Sequence, residues 1–216
     1  MTGSARDQIL ARIRAANRSG ADPDAAYAQL TRNYRRAHHD VGITGLFAER
    51  AADYRAVVER VPEAELAAAI ARVLAARSAS IPGPFVIPDG LPGDWLPGGI
   101  TLARDEPPLP AAELDRMSGV VTGCAVAIAE TGTIILEHGP GAPGQGRRAL
   151  TLVPDFHLVV VREDQVAADL ADAFARLDPA RPHTLISGPS ATSDIELIRV
   201  EGVHGPRNLH VLLARR

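Results

Sequence analysis

Two stretches in the last quarter of the sequence hold most of the groups that could do chemistry on a small polar ligand. They are Ser187–Glu196 and Glu201–Arg207, and each follows an apolar run that is typical of a buried strand. Loops at the strand ends of α/β sheets commonly bind ligands, so we expect the two stretches to form a site. The candidate hydroxyl, carboxylate, imidazole and guanidinium groups belong to Ser190, Thr192, Ser193, Asp194, Glu196, His204 and Arg207.

His204 and Arg207 suit chemistry on an organic acid. An imidazole changes its protonation near neutral pH, and a guanidinium binds a carboxylate through two parallel hydrogen bonds. His204 is therefore predicted to be a general base, and Arg207 to bind the carboxylate of the substrate. Asp194 and Glu196 are two residues apart and share a face of an extended chain, which makes Asp194 a further catalytic candidate. A hydrogen-bonded turn and a structural histidine are the alternative interpretations.

A second candidate group is the turn Glu130–Thr133, which joins two apolar runs typical of strands. Glu130 could act as a base, as a nucleophile or as a carboxylate that orients the ligand. Thr131, Gly132 and Thr133 could bind the substrate through their hydroxyl and backbone groups. The alternative is a hairpin turn whose polar groups bond to one another.

Arg147 follows a loop rich in glycine and proline, Gly139–Gly146, which lacks the order of a dinucleotide-binding fingerprint. The loop suits a mobile lid at least as well as a phosphate cradle, because its prolines remove backbone donors. Arg147 is predicted to bind an anionic group of the substrate, together with its neighbour Arg148. The alternative is that both arginines lie at the solvated start of a helix.

The composition excludes several kinds of site. The formal net charge of the 216-residue chain is −3, without a long block of like charge, which argues against a nucleic-acid binder. All 23 residues of the lysine and arginine total are arginines, so lysine Schiff bases, lysine general bases and a P-loop lysine are excluded. A single cysteine cannot hold an iron–sulfur cluster, which usually takes four thiolates, and the spacing of possible ligands matches no closed zinc site. We therefore expect no cofactor or metal held by this chain alone.

The single cysteine, Cys124, also predicts a reducing compartment, and we expect a cytoplasmic protein. The sequence shows no basic leader followed by an apolar segment, and no apolar run near about 20 residues. These features predict neither a signal peptide nor a membrane span.

The elements that must position the candidate groups change in type near residue 80. Residues 1–80 are predicted to form a helical extension packed on the core. Its helices are expected over 4–19, after Asp22–Pro23, over Leu46–Val61 and after Pro62. Residues 81–216 are predicted to form one α/β domain in which strands alternate with helices, such as Val166–Leu177. Strands that are apolar on both faces favour a mostly parallel sheet with some antiparallel hairpins.

Four segments of the second domain carry a resemblance to a known family. In chain order they are Ala127–Thr133, Leu152–His157, Ser187–Glu196 and Gly202–Leu209. They resemble, in order, segments of the lactate-utilisation protein C family, the single-domain LUD proteins. The resemblance implies that residues 81–216 are a LUD-type domain with a Rossmann-like fold related to CoA-transferases and ribose-phosphate isomerases. The isomerases use a lysine, which this chain lacks, so their chemistry does not carry over.

The resemblance also implies a function. It implies that the chain serves the oxidation of L-lactate to pyruvate as a subunit that acts with two cysteine-rich iron–sulfur proteins. The iron–sulfur clusters are then expected on those partners, and the polar loops are expected to bind the organic acid or a cofactor. Two alternatives stay open. One is a stand-alone enzyme on acyl-CoA or phosphorylated sugars, with Glu130 as nucleophile or base, and the other is a regulatory module that senses an organic acid.

Overall fold

The computed structural model describes residues 4–16, 22–33, 41–139, 142–192, 200–202 and 204–215. The chain divides into two compact units, Met1–Arg35 and Arg36–Arg216. The first unit contains helix α1 (Ala5–Ala16) and helix α2 (Pro23–Ala28). Asp22 begins α2 as predicted, because its carboxylate accepts a hydrogen bond from the N–H of Asp24 at 3.0 Å.

The described part of the second unit contains four α-helices and all the strands found among the described residues. The helices are α3 (Ile43–Asp53), α4 (Leu66–Ser80), α5 (Ala111–Leu114) and α6 (Leu170–Ala175). The strands are β1 (Val57–Pro62), β2 (Phe85–Ile87), β3 (Leu102–Arg104), β4 (Gly119–Thr122), β5 (Val126–Ile128), β6 (Thr133–Glu137), β7 (Phe156–Arg162), β8 (Val166–Ala167), β9 (His183–Ile186), β10 (Ala191–Thr192), β11 (Val200–Glu201) and β12 (Asn208–Arg215).

A parallel sheet forms the centre of this unit. Within the described residues it has six strands in the order β1-β12-β7-β4-β2-β3, and each neighbouring pair is parallel. All carboxyl ends of these strands therefore lie at one edge of the sheet and all amino ends at the other. The predicted mostly parallel α/β sheet is confirmed.

The apolar run in strand β7 shows why the sheet is buried on both faces. Leu158 and Val160 belong to the hydrophobic cluster that includes helix α4, and Val159 and Val161 belong to the cluster that includes helix α3 and strand β6. All four side chains are fully buried. Burial of one such side chain stabilises the fold by about 1.5–3 kcal/mol, so a run without polar alternation favours a central strand.

A second sheet has four strands within the described residues, in the order β8-β5-β6-β9. Strands β5 and β6 form an antiparallel hairpin, and β9 pairs antiparallel with the other side of β6. The predicted tight turn at Glu130–Gly132 joins β5 to β6. The expectation of antiparallel hairpins beside a parallel sheet is thus confirmed.

Two predicted helices are present but shorter than predicted. The segment Leu46–Val61 is not one helix, because α3 ends at Asp53 and the β-branched run from Val57 forms strand β1 beside β12. The segment Val166–Leu177 begins as strand β8, and α6 starts only after Asp169, whose carboxylate accepts a hydrogen bond from the N–H of Asp172. In both segments, pairing with a strand distant in sequence outweighs the local helical pattern.

Residues 43–80 thus contribute both a sheet strand and a core helix. Strand β1 lies at one end of the parallel sheet, and α4 supplies Leu66, Ile70 and Leu74 to the core. These elements come from the stretch that was predicted to be a helical extension. The predicted boundary at residue 80 stays a prediction, and in the structure the two compact units divide near residue 35.

Candidate functional site

The two polar loops of the last quarter lie against each other. Strand β10 pairs antiparallel with β11, which brings the loop after β9 beside the loop before β12. Ser190 is the main link between them. Its N–H donates to the carbonyl of Pro206 at 2.8 Å, its carbonyl accepts from Gly202 N–H at 2.9 Å, and its hydroxyl accepts from His204 N–H at 3.0 Å.

These loops lie at the amino-terminal edge of the parallel sheet. Arg207 directly precedes β12, and Asp155 directly precedes the neighbouring strand β7. Open α/β sheets commonly bind ligands at the carboxyl edge instead. In this chain the residues of that edge include Asp89 and Gly123, between which Gly144 is held by backbone hydrogen bonds of 2.8 Å on each side. Gly144 of the glycine-rich loop is thus fixed between the ends of β2 and β4.

A polar cleft with a volume of about 320 Å³ lies between the two loops and strand β7. We call it the polar cleft throughout. Its polar side chains belong to Arg148, Thr151, His157, Thr184, Ser187, Ser190 and His204. A volume of this size is at the lower end of small-molecule sites, and the side chains offer hydroxyl, imidazole and guanidinium groups to a ligand. The cleft therefore suits a small polar anion.

His157 is a buried member of the polar cleft that was not among the predicted site residues. It is the second residue of β7, is 1% exposed, and its Nε2 lies 2.7 Å from Thr122 Oγ1. Desolvation by burial lowers the pKa of His157 to about 3. The imidazole is therefore neutral at physiological pH and can hydrogen-bond to a ligand without adding charge. The sequence signal was its place near the amino end of a strand, beside the polar loops.

The two adjacent arginines have different surroundings. Arg147 forms a two-pronged ion pair with Asp105, at 2.7 and 3.0 Å, and donates to the carbonyl of Leu109 at 2.6 Å. The hydrogen bond to Asp105 raises the pKa of Arg147. Arg148 begins a short 3₁₀ turn, is exposed and lines the polar cleft. Within the described part of the chain, no carboxylate forms an ion pair with Arg148. The sequence prediction named both arginines as anion contacts, and it stays a prediction.

Arg207 lies outside the polar cleft, although it belongs to the same loop as His204. Its Nε donates to Asp155 Oδ1 at 2.5 Å, and it lines an adjoining cavity that His204 and Arg148 also border. The predicted pair of His204 and Arg207 therefore shares this adjoining cavity, and its role stays a prediction. Arg148 and His204 are the pair that the polar cleft itself contains.

The turn Glu130–Thr133 reaches the site only through a chain of hydroxyl groups. Thr131 Oγ1 lies 2.7 Å from Thr133 Oγ1, which lies 2.8 Å from Ser187 Oγ in the polar cleft. Glu130 is exposed and is not among the residues that line the cleft. Thr133 thus holds Ser187 in place, which is a positioning role.

Gly132 allows this turn to contact the backbone of helix α3. A Cβ atom at Gly132 would lie 2.5 Å from the backbone nitrogen of Ala51, and its φ of +62° disfavours other residues. Gly188, in the loop after β9, has the same relation to Tyr54, whose carbonyl oxygen would lie 2.5 Å from an added Cβ. Both glycines therefore fix their turns against one end of α3.

Three predicted site residues, Ser193, Asp194 and Glu196, lie outside the residues that the structure describes. Thr192 is described only by its backbone, which pairs with Val200 in the short hairpin of β10 and β11. Their predicted roles stay predictions.

Cys124 has no environment that favours reactivity. It is 5% exposed, and desolvation by burial raises the pKa of its thiol to about 12. In the ranges that the structure describes, no group of three or more histidine, cysteine, aspartate or glutamate side chains could hold a metal ion. The helices among those residues include none that is both long and apolar enough to cross a membrane.

Comparisons with known proteins identify relatives of this chain in sequence and in fold. The sequence model of the LUD domain matches residues 111–214, which include the polar cleft. A lactate utilization protein C of Deinococcus radiodurans is 52% identical over 172 residues, or 77% of each chain. A lactate utilization protein C of Geobacillus kaustophilus is 27% identical over 165 residues, or 66% of each chain. The crystal structure of a DUF162 family protein from Deinococcus radiodurans is similar with a TM-score of 0.66 and 42% identity, over 84% of this chain and 99% of that one.

Proposed function

The chain belongs to the lactate utilization protein C family of LUD-domain proteins, and we propose that it is the lactate-binding subunit of an iron–sulfur-dependent system that oxidises L-lactate to pyruvate. A role in lactate utilisation follows from the family. The observation that supports the binding role is the polar cleft, in which an arginine without an ion pair among the described residues lies near an exposed histidine.

Each group of L-lactate has a counterpart in the polar cleft. Arg148 can bind the carboxylate through two parallel hydrogen bonds, because its guanidinium has no competing carboxylate among the described residues. His204 can accept the proton of the hydroxyl group. Ser187 and Ser190 can complete the hydrogen bonding of the carboxylate or of the developing carbonyl oxygen.

His157 contributes to this site through its neutrality. A charged imidazolium at this buried position would attract a second anion and would be destabilised by the loss of its hydration. A neutral imidazole avoids both effects and can still donate or accept one hydrogen bond. With a pKa of about 3, His157 is a poor base at neutral pH. We therefore assign proton transfer to the exposed His204 and a positioning role to His157.

The electrons of the reaction must leave this chain. Oxidation of L-lactate to pyruvate breaks the O–H and Cα–H bonds and releases two protons and two electrons. His204 can take the proton of the hydroxyl group, and the α-hydrogen and the electrons go to an acceptor outside this chain. An iron–sulfur cluster usually needs four thiolates, and this chain has one cysteine, so its residues do not fit a cluster. The proposal therefore places the clusters on cysteine-rich partner subunits, and no step on a cluster is assigned to this chain.

The test of the subunit role is a tagged purification from the native host grown on lactate. The eluate is analysed for iron, acid-labile sulfide and co-purifying proteins. Cysteine-rich iron–sulfur proteins in a fixed ratio to the tagged chain are the expected result. A chain that elutes alone and free of iron under gentle conditions contradicts the subunit role and favours a stand-alone enzyme or a sensor.

The purified complex then tests the role of His204. The variant His204→Gln should assemble normally, because the link to Ser190 uses the backbone N–H of residue 204. Loss of a general base lowers kcat by roughly a hundredfold or more. A complex of this variant that oxidises L-lactate at the rate of the wild type contradicts the assignment of the base.

A further inference from the structure

A second cavity adjoins the polar cleft on the far side of His204 and Arg148. It has a volume of about 780 Å³, more than twice that of the cleft, and its described lining includes Arg77, Arg148 and Arg207. We call it the arginine lobe. A volume of this size is typical of sites for cofactor-sized ligands, and L-lactate would fill only a small part of it.

Asp155 holds two of these arginines side by side. Arg207 Nε donates to Asp155 Oδ1 at 2.5 Å, and Arg77 Nη2 donates to Asp155 Oδ2 at 3.5 Å. Asn208 Nδ2 donates to the same carboxylate at 3.2 Å, which fixes its orientation. Each guanidinium group has five N–H bonds in a planar fork, so it can contact several acceptors at once.

The rest of the surroundings also fixes the two side chains. Arg77 is 15% exposed, its Nε donates to the carbonyl of Ser118 at 3.2 Å, and its guanidinium lies over the ring of Phe156 at 5.2 Å. The stem of Arg207 passes over Gly202, where an added Cβ would lie 2.7 Å from Cγ of the arginine. The arginines are therefore oriented in advance, which lowers the entropic cost of binding an anion.

The charge and the apolar wall of the lobe narrow the class of ligand. Among the lining residues that the structure describes, three guanidinium groups exceed the two carboxylates of Asp155 and Asp115, which favours an anion. Guanidinium groups match phosphate oxygens through paired hydrogen bonds. The lining also includes four apolar side chains, those of Ile81, Met117, Leu152 and Val153. Such a wall suits a flat or apolar part of the same ligand.

We propose that the arginine lobe binds a phosphate-bearing organic anion of about nucleotide size. The phosphate group contacts Arg77 and Arg207, and the apolar part of the ligand packs on the wall that includes Ile81. The proposal does not depend on lactate binding, although Arg148 and His204 border both cavities. A ligand in the lobe would lie next to a lactate in the polar cleft.

The test uses calorimetric titration of the full-length chain with inorganic pyrophosphate and with ADP at low ionic strength. The wild type should bind both saturably, and ADP more tightly because of its apolar part. Arg207→Gln should weaken the binding of both at least about tenfold, since a hydrogen bond to a charged group contributes roughly ten- to a hundredfold in affinity. This side chain is 59% exposed, so the variant should fold.

Two further variants sharpen the result. Arg77→Gln should weaken pyrophosphate binding to a similar extent, and Arg77→Lys, which keeps the charge, should recover part of it. Ile81→Ser should reduce the advantage of ADP over pyrophosphate and leave the pyrophosphate affinity unchanged. The matched control is Arg50→Gln, which removes the same charge from an exposed arginine that does not line the lobe.

Three outcomes overturn the proposal. They are the absence of saturable binding by the wild type at millimolar pyrophosphate and ADP, an equal loss in Arg50→Gln, and binding of polyglutamate without binding of pyrophosphate. The last outcome would point to the acidic surface of a partner protein. L-lactate is titrated separately into the wild type, so a failure of lactate binding and a failure of the arginine lobe are distinguishable.

Discussion

Replacement of His157 by glutamine should remove a specific part of the pH dependence of stability. The folded protein holds His157 neutral, because burial lowers its pKa from 6.5 to about 3. The unfolded chain instead takes up a proton as the pH falls through 6.5. Protonation therefore favours the unfolded state, and the stability that His157 contributes above pH 6.5 is lost progressively between pH 6.5 and pH 3.

The magnitude follows from the linkage of one proton. Each pH unit within this window changes the free energy of unfolding by about 1.4 kcal/mol, so about 2 kcal/mol is lost between pH 7 and pH 5. Because the pKa of His157 in the folded protein lies well below 5, the stability lost between pH 7 and pH 5 depends only on its pKa in the unfolded chain. Glutamine cannot titrate, but it can still hydrogen-bond to Thr122, which His157 contacts at 2.7 Å.

The assay is urea unfolding of both proteins at pH 7, 6 and 5, followed by circular dichroism. The carboxylates and the other histidines titrate in both proteins, so their contributions cancel in the difference between the two free energies of unfolding. We expect this difference to change by about 2 kcal/mol over the range, with the wild type losing more stability than His157→Gln. Parallel curves, with a difference constant to within about 0.5 kcal/mol, would refute a buried neutral imidazole.

Three other predictions concern groups around the site. Gly132→Ala should lower the free energy of unfolding by about 2–4 kcal/mol, because the new Cβ meets the backbone of α3 at a left-handed φ. Gly98→Ala is the control and should change the stability little, because no atom lies within 4 Å of an added Cβ there. Equal urea midpoints of the two variants would contradict this. The thiol of Cys124, with a pKa of about 12, should react with a disulfide reagent about a thousandfold more slowly in the native protein than in urea, and fast native labelling would contradict its burial. Arg147→Gln should lower the free energy of unfolding by about 1–3 kcal/mol, because it leaves the 7% exposed carboxylate of Asp105 without its ion pair. The double variant Arg147→Gln, Asp105→Asn should recover part of the loss. Equal stability of Arg147→Gln and the wild type would contradict this role.

Local sequence patterns predicted the parts of the fold that depend on nearby residues. The apolar run from Leu158 to Val161 forms a central strand, because burial on both faces leaves no polar position. The turn at Glu130–Gly132 forms where a glycine follows two polar residues between strands.

Features that depend on distant residues were not predictable in this way. Val57 and its neighbours form a strand only because β12, about 150 residues later, pairs with them. Local helix propensity carries no information about such a partner, so the predicted helix was extended beyond Asp53 into this strand. Likewise, Arg147 and Arg148 are equivalent in sequence, and only the position of Asp105 decides which guanidinium is engaged in an ion pair.

In the candidate site, too, some features follow from nearby residues and others depend on distant ones. The residue types of the last quarter predicted two polar loops at strand ends, and the structure brings Ser190 and His204 together. The edge of the sheet was not predictable, since it depends on which strands the loops precede in the parallel order. His157 was not among the predicted site residues because its neighbours in sequence are apolar, although its side chain lines the polar cleft.

The affinity of the chain for L-lactate tests the polar cleft most directly. It is measured by calorimetric titration of the wild type, Arg148→Gln and the charge control Arg50→Gln, both alone and with the purified iron–sulfur partners. Saturable binding by the wild type, at least about tenfold weaker in Arg148→Gln and unchanged in Arg50→Gln, is the predicted result. Equal affinity of Arg148→Gln and the wild type, or no binding of L-lactate by the wild type in either setting, would contradict the cleft as the site of the organic acid.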